Sequence, residues 1–215
     1  MCASACYFLR GDFMPGPITH LKAAYAFLDR SRFRLPREQF YLGSVCPDSV
    51  NINGHAAKSL RWPAHLRDAD LDIWQQNAEE FLKAHRDFED KAYLFGYIMH
   101  IITDIVWDRS FDKRLYLMMA ANGVKKEDFK ERRWQEIYGF EAKERGTSWG
   151  RNTLLELSRA KPLSIGTVRA ENVLVWRDMI VSNAIPKGSD PVYLSGEFMD
   201  EFIEKCVNEA EKIIK

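Results

Sequence analysis

The sequence predicts an all-α fold. Apolar residues recur at spacings of three and four in one segment after another, and no alternating run is long enough for a strand. Proline, glycine and asparagine divide those segments where helices start and stop. Together these observations imply roughly seven to nine helices around one buried central helix. A chain of 215 residues with 46% hydrophobic content can bury one sizeable core, and its length calls for no second domain.

Residues 1–13 show no period and are expected to form an extension, disordered or non-native, ahead of a helical domain at 14–215; Met14 is a second candidate start. After Pro15-Gly16-Pro17, Thr19 is a candidate N-cap for a helix from His20 to about Arg30, with Leu21, Ala24, Tyr25 and Leu28 as its apolar stripe. That placement puts His20 in the first turn, where the helix dipole favours a neutral imidazole. A short helix follows Pro36, and an apolar approach then ends in Pro47-Asp48. Residues 51–67 contain Asn53-Gly54 and Trp62-Pro63 and read as an irregular connection carrying His55 and His65.

From Asp68 to about Asp90 the helical pattern returns, with Leu71, Trp74, Ala78, Phe81 and Leu82 on one side and His85 at the boundary. Lys91 to Trp107 is apolar on nearly every face and contains no proline, so it reads as the buried central helix. Its continuation through Phe111 and Leu115 stops near Asn122-Gly123. Residues 125–145 read as a solvated helix with Phe129, Ile137 and Phe140 facing in. Three further helices are expected: Trp149 to Arg159, Thr167 to about Ala184 stopped by Pro186-Lys187-Gly188, and Ser195 to Ile214, whose Phe198, Phe202, Cys206 and Ala210 close the core.

Inside the central helix, His100 and Asp104 lie four residues apart and so share one face. A buried carboxylate needs a partner, which can be a hydrogen bond, a basic side chain or a metal ion. Gly96, costly inside a helix, is explained if something comes close to the backbone there. Asp108, one turn on, is either a partner for a ligand histidine or a surface acid. Trp62, Tyr93, Tyr97 and Trp107 are candidate pocket walls or plain core.

Composition excludes several classes. Lys plus Arg and Asp plus Glu are 31 each, so no uniform field draws the chain to nucleic acid or an anionic membrane. No apolar run reaches the ~20 residues of a membrane span, and the N-terminus lacks a signal-peptide pattern; a cytoplasmic protein is expected. Cys2, Cys6, Cys46 and Cys206 match no common zinc spacing and read as free thiols. Nothing in the sequence sets the oligomeric state.

The polar residues in apolar surroundings are His20, Asp48, His65 or His55, His100 and Asp104. Three histidines with two carboxylates suit zinc, or a similar divalent ion, better than magnesium, and can hold two ions with one carboxylate bridging. Pro17-Ile18-Thr19-His20, Gly43-Ser44-Val45-Cys46-Pro47-Asp48, Ala64-His65-Leu66 and the run Gly96 to Asp104 occur in the order seen in the zinc-dependent phospholipase C family, which the chain resembles over roughly residues 14–110. That family is related in fold to zinc single-strand nucleases.

The resemblance implies an all-α fold with a metal cluster in a cleft, and hydrolysis of a phosphodiester or phospholipid-like substrate by metal-activated water. By position, it implies that Asp48, His65, His100 and Asp104 hold one zinc, and that Asp104 bridges to a second held also by His20. Asp48 is the candidate for orienting or deprotonating the water. The family's third site uses later His and Glu residues; this chain has no histidine after His100, so such a site would be absent or built from carboxylates. The expected partner is a small-molecule or lipid phosphoester. The alternatives are a nuclease or nucleotide phosphodiesterase on the same fold, or a non-catalytic helical module with a structural metal.

Overall fold

A computed structural model describes residues 15–182 and 190–214. The expectations for residues 1–13, Met14, Cys2, Cys6 and Pro186–Gly188 lie outside the described residues. Among the described residues there are ten α-helices and no strand. The count is ten because a π turn at Trp107–Phe111 divides the long central segment, and because residues 51–67 hold a helix of their own.

α5 (Lys91–Val106) is the axis of the fold, and fourteen of its sixteen residues are buried. It is enclosed by α1 (Pro17–Arg30), α2 (Arg37–Gly43), α4 (Leu71–Ala84) and α10 (Gly196–Ile213). Between α2 and α4 lie a 3-10 turn, Cys46–Asn51, and the short α3 (Lys58–Ala64). After the π turn come α6 (Asp112–Ala121), α7 (Phe129–Arg145), α8 (Ser148–Leu157) and α9 (Ala170–Val181). α9 packs on the Cys46–Asn51 turn, so the second half of the chain closes over the first.

The start of α1 differs from the sequence reading. Gly16 is the N-cap and Pro17 the first helical residue, a position where proline's missing N–H costs nothing. Thr19 therefore lies inside the helix. The freed N–H groups of Ile18 and Thr19 bond instead to Glu141 Oε1 on α7, at 3.0 and 3.2 Å. Residues 51–67 also differ, because the seven-residue α3 lies within that stretch, with Pro63 in its last turn.

α2 and α5 cross in close contact. A Cβ on Gly96 would lie 2.1 Å from the Phe40 carbonyl oxygen, and one on Gly43 would lie 2.1 Å from that of Tyr93. The backbone that Gly96 admits is thus α2. Gly123 ends α6 at φ 78°, as the Asn122-Gly123 stop implies; Asp90, read as the end of the preceding helix, instead caps α5 by accepting from Tyr93 N, and Ser195 caps α10 by accepting from Phe198 N. Cys46 and Cys206 are buried free thiols. No helix among the described residues is long and apolar enough to cross a membrane.

α7 is less solvated than its composition suggests. Arg133, Glu136 and Glu141 are buried on its inner face. Glu136 Oε2 accepts from the backbone N–H of Val192, Tyr193 and Leu194 at 2.6–3.1 Å, which ties the approach to α10 onto α7. Arg133 pairs with Asp112 at 2.7 Å. Both groups follow the inward spacing set by Phe129, Ile137 and Phe140, so their periodicity was the readable signal.

Candidate metal centre

Four elements converge on one buried cluster. α1 supplies His20, the Cys46–Asn51 turn supplies Asp48, the residue that caps α3 is His65, and α5 supplies His100 and Asp104. Their ligand atoms fall into two overlapping groups, His20–His100–Asp104 and Asp48–His65–His100, with all atoms of each group within 4.8 Å of one another. His55 is exposed and belongs to neither group. The fold therefore gathers His65 and leaves out its competitor.

Backbone carbonyls set the histidine tautomers. A carbonyl oxygen can only accept, so Nδ1 of His100, 2.9 Å from Ser44 O, carries a proton, and so does Nδ1 of His65, 2.8 Å from Arg61 O. In the neutral imidazoles each Nε2 then presents a lone pair. These lone pairs face carboxylate oxygens: His100 Nε2 is 3.4 Å from Asp104 Oδ2, and His65 Nε2 is 3.3 Å from Asp48 Oδ1. His20 Nε2 lies 3.5 Å from Asp104 Oδ1, with its ring stacked on that of His100 at 3.8 Å.

Both ring nitrogens of His20, Nε2 of His100 and both oxygens of Asp104 are buried and make no hydrogen bond among the described residues. Acceptor facing acceptor in a dry site is unfavourable unless positive charge lies between them. Protonating all three rings is a poor answer, because two imidazolium ions would be stacked face to face. Burial, helped by the nearby His100, pulls the His20 pKa down to about 3. Burial also opposes charge on His100, but Asp104, with help from Asp48, outweighs it and raises that pKa. Asp48 is pushed up by burial, yet the His65 ring beside it and the surrounding imidazoles bring it down to about 2. The nitrogen and oxygen set, with its unsatisfied atoms pointing inward, fits a divalent cation of the zinc type.

The candidate wall residues divide. Tyr93, Tyr97 and Trp107 are core: Tyr93 donates to Leu163 O and Tyr97 to Ala64 O, while the ring of Trp107 meets Phe202 edge-on. Trp62 lines a surface groove of about 560 Å³ with Leu66, Arg67 and Phe81. Asp108 is bound by Arg67 at 2.5 Å and touches no ligand histidine. Burial raises its pKa to about 6 against the pull of Arg67.

Glu141 is a residue that the sequence reading missed. Its Oε1 accepts from Ile18 N, Thr19 N and Thr19 Oγ1, which fixes the turn that presents His20. Burial pushes its pKa from the ordinary 4.5 to about 8, against those bonds. An acid with a raised pKa is bound to its proton more tightly in the folded chain. The stability it allows is complete below pH 4.5 and is lost as pH rises through about 8. The melting temperature of the native chain should therefore fall between about pH 4.5 and 8 and level off above that. Glu141→Gln keeps the Oε1 acceptor and should flatten that slope; an equal slope in both proteins would remove Glu141 as its cause.

A family model for zinc-dependent phospholipase C matches residues 16–136, from the cap of α1 into α7, and so extends past the motif that ends at Asp104. No curated protein and no solved structure gives a match.

Proposed function

Since the chain belongs to the zinc-dependent phospholipase C family, we propose that it is a zinc phosphoesterase that hydrolyses a phosphodiester or phospholipid-like substrate at the His20–Asp48–His65–His100–Asp104 cluster. The observation that carries the proposal is the set of buried, inward-facing nitrogen and oxygen atoms without hydrogen bonds. Zinc, when bound, supplies Lewis acidity to a phosphoryl oxygen and lowers the pKa of water towards neutrality.

The chain's own residues divide the rest of the work. The carbonyls of Ser44 and Arg61 keep protons on the Nδ1 atoms and leave both Nε2 atoms free to ligate. Asp104 turns Oδ1 towards His20 and Oδ2 towards His100, so its carboxylate would be one of the groups that hold the metal. One imidazole lone pair serves one ion, so in this reading His100 joins Asp48 and His65 while Asp104 and His20 serve the second. Asp48 has 9% of its side chain exposed, against 0–1% for the others. As the least buried of the five, it is the residue that would accept a hydrogen bond from the attacking water.

The equal numbers of basic and acidic residues, 31 each, favour a small or lipid phosphoester over a long polyanion. The purified chain is expected to hydrolyse a chromogenic phosphodiester or phospholipid vesicles, to lose that activity on chelation, and to recover it with zinc but not magnesium. Hydrolysis that chelation leaves unchanged, or no hydrolysis by the zinc-loaded protein, would count against this function.

A further inference from the structure

The three residues that follow α3 are held more firmly than a connection requires. α3 ends in a Schellman turn: Leu66 N donates to Pro63 O at 3.2 Å and Arg67 N to Trp62 O at 2.9 Å. The residue at the left-handed position of such a turn is usually glycine, yet here it is Leu66, with φ 51°, the one non-glycine residue with positive φ among the described residues. A branched side chain there costs about 1–2 kcal/mol. Something outside the turn must hold it.

α4 supplies that hold. The buried Trp74 Nε1 donates to His65 O at 2.7 Å, and Asn77 Nδ2 donates to Leu66 O at 3.0 Å. Arg67 stacks on the Trp74 ring, 4.5 Å from its centroid, and reaches Asp108 one turn beyond Asp104. Side chains distant in sequence thus fix each member of the tripeptide His65–Leu66–Arg67. The first member is a residue of the candidate centre, and its Nε2 faces Asp48.

We propose that Trp74 and Asn77 are positioning residues for the metal centre, clamping the strained turn after α3 and so setting where the His65 imidazole stands against Asp48. Neither touches the cluster; both act through the backbone carbonyls of His65 and Leu66. The proposal rests on the zinc reading above for its effect on metal, but not for its effect on His65 itself. Removing the indole N–H lets the turn relax its left-handed residue and carries the ring away from Asp48. Glycine at position 66 adopts the left-handed conformation without strain, so it should hold the turn with the clamp removed.

The test compares the native chain with Trp74→Phe, Asn77→Ala and the double variant Trp74→Phe/Leu66→Gly. It measures zinc affinity by competition with a chromophoric chelator, and the His65 imidazole signals by NMR in metal-free protein. Trp74→Phe and Asn77→Ala should each weaken one of the bound zinc ions about 10- to 100-fold and shift the His65 signals, and Leu66→Gly should restore both in the Trp74→Phe background. Melting temperatures run alongside, since loss of packing alone lowers stability without moving either readout. Native zinc affinity and native His65 signals in Trp74→Phe would overturn the clamp, as would a failure of glycine to rescue. A native chain that takes up no zinc would overturn the zinc reading instead, and the His65 signals would still decide for or against the clamp.

Discussion

Gly96→Ala is expected to destabilise the fold by about 2–3 kcal/mol and to loosen the centre as well. The new Cβ would stand 2.1 Å from Phe40 O, 2.9 Å from Ser44 N and 3.0 Å from Gly43 Cα, all backbone atoms that cannot rotate away. Overpacking against a rigid neighbour lies at the upper end of the ~1–3 kcal/mol range, and alanine's better helix propensity returns only about 1 kcal/mol. α2 must therefore back off. Its last turn carries Ser44, whose carbonyl holds Nδ1 of His100, so zinc affinity should fall about 10- to 100-fold with the stability. Gly196→Ala, where nothing lies within 4 Å of the added carbon, is the control and should be close to neutral. Thermal unfolding checks the pair: a drop of about 4–10 °C for the first and little for the second is expected. Equal melting temperatures would refute the close crossing.

The second large effect is expected at Asp104. It is buried, its two oxygens face His20 and His100 separately, and neither is hydrogen-bonded. Asp104→Asn keeps the volume and removes the charge that both sides share. Partners that merely orient a ligand are worth about 10- to 100-fold, and a ligand itself should exceed that, so phosphodiester hydrolysis should fall by more than about 100-fold. The fold should persist, because the same substitution relieves the burial of an ionised group.

Much of this was legible in the sequence because it rested on local rules. The helical period gave the all-α class and the buried central helix, and the spacing of His100 and Asp104 put both on one face of it. Gly96 announced a close backbone approach, although only the fold shows that α2, from Phe40 to its cap Ser44, provides it. Other features depended on contacts distant in sequence. Thr19 lost the N-cap position because Glu141, more than a hundred residues away, satisfies the first N–H groups of α1. The helix after Asn51 was hidden by Trp62-Pro63, a pair that suggests a turn but here sits in the last turn of α3. His55 and His65 were equivalent in sequence and separated only when α3 buried one and left the other in solvent. The buried charges of α7 are hidden by its composition, which implies a solvated helix, although spacing puts Arg133 and Glu141 on its inner stripe.

Elemental analysis of the purified native chain and of Asp104→Asn tests the central claim most directly. About two zinc ions per native chain are expected from the two overlapping groups of ligand atoms, with a sharp fall in the variant at unchanged helix content. A native chain that holds no zinc and takes up none on titration, beside a variant altered only in stability, would make the five residues a polar core and contradict the zinc phosphoesterase.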